Sequence, residues 1–137
     1  MKRRKAREFA LQLLYEREMR EETVERLLKE FWRENPEEDD EIRSFTGDLV
    51  RGAEKYLVEI DRIIARIALN WEMGRMGFID RNIIRIAAYE ILYLKEIPAV
   101  VSINEAIEIA KTFGGDQTAK FVNGVLNKMQ EDAPGPE

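Results

Sequence analysis

Apolar residues recur at three- and four-residue spacing along almost the whole chain, and little interrupts them. The 137 residues include 8 glycines and 4 prolines. Strand-like alternation is scarce, so the periodicity predicts an all-α protein, a compact bundle of about seven helices. A chain of this length buries roughly 68% of the surface it exposes when unfolded, enough for one domain without staples.

Local signals place the helices. The first is expected from about Arg3 to Met19. The second, about Thr23 to Arg33, carries Leu27, Leu28 and Phe31 and stops at Asn35-Pro36, because the residue before a proline is pushed out of helical geometry. The stretch from about Asp40 to Leu69 is long for one globular helix, so a break is expected between Gly52 and Val58. Asn70 to Phe78, with Gly74 and Gly77, reads as a connector. The next helix should open at Asp80, and it is apolar nearly all round, which marks a buried central helix. Pro98 ends it. Ser102-Ile103-Asn104-Glu105 fits a capping box opening the following helix, with Phe113 on its core face. Gly114-Gly115 closes that helix, and Asp116 can cap the last one. Residues 1–132 read as a single domain and 133–137 as a disordered tail.

Missing residue types exclude whole classes of chemistry. The chain has no cysteine and no histidine. Disulfides, thiolate nucleophiles, Ser-His-Asp triads and common zinc sites are therefore out of reach, and no metal or cofactor is expected. Gly114-Gly115-Asp116 lacks the strand and the Gly-Lys ending of a phosphate loop. Carboxylate pairs such as Glu105 with Glu108 arise by chance in so acidic a chain. Catalysis is not expected. No apolar run approaches the ~20 residues that span a bilayer. Glu8, Gln12 and Glu16 break up any secretory core behind the basic start. The cytoplasm is the expected compartment, with no membrane partner.

Charge is unevenly distributed. The net charge is −5, yet Lys2, Arg3, Arg4, Lys5 and Arg7 precede the first acid. Six carboxylates crowd residues 34–41. The basic terminus is either a solvated end or an electrostatic footprint for nucleic acid. On a helical wheel, Ala6, Phe9, Ala10, Leu13 and Leu14 form the core arc of the first helix. Arg4, Arg7, Leu11 and Tyr15 centre on the opposite side. Guanidinium groups pair with phosphates and an exposed ring stacks on bases, so this arc favours RNA. The alternative is that Leu11 and Tyr15 pack beneath another helix. Phe121 lies at the edge of the last helix's apolar stripe, near Gln117, and fits either a core rim or a contact surface.

Several segments resemble the NusB transcription antitermination family. Arg3-Arg4-Lys5-Ala6-Arg7-Glu8 and Ala10-Leu11-Gln12-Leu13-Leu14-Tyr15 resemble its opening. Ile86-Ala87-Ala88-Tyr89-Glu90-Ile91-Leu92 with Ile97-Pro98 resembles its central helix. Ile103 to Lys111 and Lys120-Phe121-Val122-Asn123-Gly124-Val125-Leu126 are closer still, and the likeness spans about residues 3–129.

The resemblance implies two packed three-helix sub-bundles, about residues 1–69 and 78–130, plus an extra helix. It implies binding to boxA-type single-stranded RNA of rRNA operons, jointly with NusE, a small-subunit ribosomal protein, in an antitermination complex on RNA polymerase. Carried over residue by residue, it assigns Arg3, Arg4, Lys5, Arg7, Tyr15, Asp80, Lys120 and Phe121 to the RNA surface or its margin with NusE. Lys2 extends the basic cluster. Gln117 stands where some members carry an acid. The acidic remainder is expected to repel RNA elsewhere and to suit a basic partner. The competing reading is a helical protein-interaction module without RNA binding.

Overall fold

The computed structural model describes residues 1–68 and 76–132. The tail from Ala133 lies outside these residues, as does the expected connector up to Arg75. The elements are all helical: α1 (Lys2–Met19), α2 (Val24–Glu34), α3 (Asp40–Lys55), α4 (Leu57–Ile67), α5 (Phe78–Tyr93) and α6 (Ala99–Asp132). Gly115 interrupts α6 with φ 88° and ψ −176°, so α6 is two helical arms and the bundle has seven helical segments among the described residues. Positive φ at this position is what glycine tolerates without steric penalty.

Side chains next to the helix starts explain the boundaries. The Thr23 hydroxyl accepts the Arg26 N–H, and the Asp39 carboxylate accepts those of Glu41 and Ile42. Both satisfy donors that the first helical turn leaves open. Asn35 closes α2 by donating to the Phe31 carbonyl at 2.8 Å, just before Pro36. The expected break in the long third stretch falls at Tyr56, whose ring stacks on Tyr93 at 3.9 Å. Gly52 lets α3 approach α5 here. A Cβ on Gly52 would lie 2.0 Å from the Tyr89 ring.

Two boundaries differ from expectation. Helix α5 begins at Phe78, capped by Gly77, which places Asp80 inside its first turn. Helix α6 begins at Ala99, where the Pro98 carbonyl accepts the N–H groups of Val101 and Ser102. The capping box is thus not formed. Ser102 is buried within the helix and donates to Glu90 at 2.8 Å, and Glu105 turns to Arg4. A long-range partner outcompetes the local cap.

As expected, α5 is the central helix, with contacts to α1, α3, α4 and α6. Helix α1 also packs on α2 and α3, and α4 lies against α3, α5 and α6. One apolar core runs through the bundle, with Leu13, Leu27, Leu49, Ile60, Ile64, Ile84 and Leu126 fully enclosed. Each such side chain contributes about 1.5–3 kcal/mol by leaving water. Ion pairs lock the helices at their ends. Glu18 of α1 accepts from Arg81 and Arg85 of α5, and Arg85 also grips Asp61 of α4 with two bonds of 2.8 Å.

Candidate nucleic-acid interface

The basic cluster sits on the first turns of α1, and each of its side chains meets a different environment. Lys2 and Lys5 are exposed but touch acids of the α2–α3 segment. Lys2 lies 3.1 Å from Asp39 and 3.4 Å from Glu41, and Lys5 lies 3.1 Å from Glu38. Hydrogen bonding to Asp39 raises the Lys2 pKa, and the same bond lowers that of Asp39. Arg3 is exposed and places its guanidinium 4.3 Å above the Phe45 ring. Arg4 is half-buried and grips Glu105 of α6 with bonds of 3.0 and 2.6 Å. That grip holds the Glu105 carboxyl below its ordinary range, although burial works against it.

Arg7 overturns the helical-wheel reading. It is 3% exposed and donates twice to Glu90, at 2.8 and 2.7 Å. Glu90 is 1% exposed and also receives the Ser102 hydroxyl. Leu11, on the same face, is buried too, and Arg7, Leu11, Ile86, Glu90, Ser102 and Ala106 line one small internal cavity. The face opposite the first core arc is therefore a second packing face, covered by α5 and α6. Arg7 offers no outward donor. The other end of that face does emerge, and Tyr15 is 44% exposed.

The acid-rich segment is not remote from the basic cluster, as its expected role of repelling RNA elsewhere required. Glu38, Asp39 and Glu41 stand against Lys2 and Lys5. Any phosphate reaching these lysines meets carboxylates as competitors.

The remaining expected residues form two further groups. Tyr15 meets Phe78 edge-to-face, with centroids 5.6 Å apart, and half-buried Asp80 follows in the same first turn of α5. Gln117 and Lys120 are exposed on the second arm of α6, and half-buried Phe121 packs against the core beside them. Lys111, Asp116, Lys120 and Asn123 line one surface groove there. Phe113, expected on a core face, is 46% exposed just before the Gly115 break.

The sequence pattern does not reveal Phe78 as a surface ring, because it places this residue at the end of a connector. The signal for it is an aromatic residue directly after Gly77 at a helix start. Nor does the pattern reveal Glu90 as the partner of Arg7, for which the only signal is an acid within a nearly apolar helix. Among the described residues no group of three or more acids is arranged to hold a metal ion, and no helix is long and apolar enough to cross a membrane.

Comparison with known proteins gives one consistent match. The sequence profile of the NusB family matches residues 4–131. The transcription antitermination protein NusB of Thermodesulfovibrio yellowstonii is 43% identical over 141 aligned positions, covering 96% of this chain and 93% of that protein. The solved structure of T. maritima NusB matches with a TM-score of 0.87 at 36% identity, covering 96% of this chain and 92% of that one. A chain from the crystal structure of antitermination factors NusB and NusE in complex with dsRNA matches with a TM-score of 0.86 at 28% identity, covering 95% and 96%. With sequence and fold agreeing from the first turn of α1 to the end of α6, the chain belongs to the NusB family.

Proposed function

We propose that this chain is an RNA-binding transcription antitermination factor. It binds boxA-type single-stranded RNA of rRNA-operon transcripts together with NusE, as part of an antitermination complex on RNA polymerase in the cytoplasm. The observation that carries this reading is the exposed surface of α1. Lys2, Arg3 and Lys5 are exposed at its start, and the Tyr15 ring is exposed near its end. Lys5 and Tyr15 are ten residues apart, roughly 15 Å at 1.5 Å per helical residue. Around the helix Lys5 lies within about 80° of Tyr15, with Glu8 and Gln12 between them, so a strand crossing that strip meets this cation first and the stacking face later.

The action is binding without chemistry. The three exposed cations neutralise phosphates and release counterions. Tyr15 stacks on an unpaired base. Arg4 and Arg7 act behind this surface, fixing α1 to α5 and α6 through Glu105 and Glu90. Asp80 accepts hydrogen bonds from base amino groups, while Gln117, Lys120 and Phe121 extend the RNA surface or its margin with NusE. RNA has to displace Glu38, Asp39 and Glu41 from the lysines, which disfavours weakly held strands.

That same displacement favours a second reading, a protein-interaction module whose cations are already neutralised. One experiment separates the two. Binding of a short single-stranded boxA RNA is measured with and without purified NusE. Binding by the chain alone, tightened by NusE, is the expected result. Binding of NusE with no RNA affinity in either arm supports the interaction module instead.

A further inference from the structure

We infer that Phe78 is a second stacking residue, which joins Tyr15 in a two-ring platform for unpaired bases of the RNA. This rests on the RNA-binding function proposed above and adds a contact to it. Phe78 remains 37% exposed and Tyr15 44% exposed, although each belongs to a helix with a buried face at hand. A single exposed apolar side chain is ordinary. Here two large rings from separate helices are exposed against each other, 5.6 Å apart at an interplanar angle of 73°.

The platform is held rigid from behind. The Arg81 guanidinium lies 4.2 Å from the centroid of the Phe78 ring. Arg81 is itself fixed, donating to Glu18 at 2.9 Å and to the Met76 carbonyl at 2.5 Å. Glu18 belongs to α1, one turn beyond Tyr15, so one ion pair fastens both helices that carry the rings. A ring already immobilised loses little rotamer freedom on binding, which is how pre-organised contacts gain affinity. The occupant is a nucleobase, because the function proposed above brings unpaired RNA to α1 and every base has a π-face that stacks on an exposed ring.

The test compares binding of a fluorescein-labelled single-stranded boxA RNA to wild type, Phe78→Ala, Phe78→Leu and Phe78→Trp, across a salt series. Denaturant midpoints are measured on the same proteins. Loss of one stacked base lowers affinity roughly 5- to 150-fold. Phe78→Ala and Phe78→Leu should show that loss with an unchanged salt slope, since no phosphate contact is removed. Phe78→Trp should retain affinity. Leucine preserves most of the packing volume, so a fall in affinity with a wild-type midpoint separates stacking from folding. Removing one base from the RNA at the contacted position should abolish the difference between wild type and Phe78→Leu. Wild-type affinity in Phe78→Leu overturns the inference while leaving RNA binding intact. Failure of the wild type to bind RNA overturns both.

Discussion

Replacing Arg7 by alanine tests whether the basic cluster is one surface or two. Arg7 and Glu90 are 3% and 1% exposed and share hydrogen bonds of 2.8 and 2.7 Å. Arg7 also lies 3.6 Å from Glu105. Alanine leaves the Glu90 carboxylate enclosed, with the Ser102 hydroxyl still donating to it. Removing one partner of a buried ion pair costs about 3–5 kcal/mol. Against a total stability of about 5–15 kcal/mol, that is about a fifth or more of what holds a domain of this size folded. At roughly 3–5 °C per kcal/mol, Tm should fall by about 10–25 °C. Thermal unfolding followed by circular dichroism reads this directly. Replacing Arg7, Glu90 and Ser102 together by Leu, Met and Ala should recover most of the loss, because an apolar substitute removes the stranded charge as well. RNA affinity of Arg7→Ala, measured well below its Tm, should stay near wild type. A wild-type Tm combined with a large loss of RNA affinity would refute the reasoning and return Arg7 to the RNA surface.

Further outcomes follow from the same geometry. Changing Lys2, Arg3 and Lys5 together to Gln should flatten the log–log salt dependence of RNA binding by about 2, at ~0.7 per phosphate contact on a single strand; an unchanged slope would place the electrostatic contact elsewhere. Changing Glu38, Asp39 and Glu41 to Gln, Asn and Gln frees Lys2 and Lys5 and should tighten RNA binding, whereas neutralising the exposed Glu59, Glu96 and Glu131 should have a smaller effect. For pH, burial raises the Glu18 pKa but hydrogen bonds from Arg81 and Arg85 outweigh it, and the Arg4 bond lowers Glu105, so both fold with pKa values below the ordinary 4.5. Their stabilisation is complete above that value and is lost as pH falls through the folded pKa, so Tm measured from pH 7 to pH 3 should drop below about pH 4.5 and less steeply in Arg4→Gln. Gly52→Ala forces a methyl into the Tyr89 ring and should destabilise by about 1–3 kcal/mol in a urea titration.

Much of the bundle is legible in the sequence because its signals are local. Thr23 and Asp39 precede their helices, Pro36 follows one, and Gly115 marks the bend of α6, each acting within a turn of its own position. The apolar character of α5 likewise announced a buried helix whatever its neighbours were. The exposed cations at residues 2, 3 and 5 and the exposure of Tyr15 also agree with what the pattern suggested. The failures share a different origin. Ser102 and Glu105 have the spacing of a cap, but Glu90 and Arg4 reach them from distant parts of the chain. Arg7 and Leu11 lie opposite the obvious core arc, and a wheel shows which residues share a face without showing whether a second helix covers it. Local hydrogen bonding and periodicity are properties of a few consecutive residues, so the sequence determined the helices, their breaks and the supply of charge. Whether a given charge faces water or another charge depends on which helices meet. Only the packing of α1 between α3 and α5 decided that Arg7 would be buried while Arg3 and Tyr15 remained in reach of a ligand.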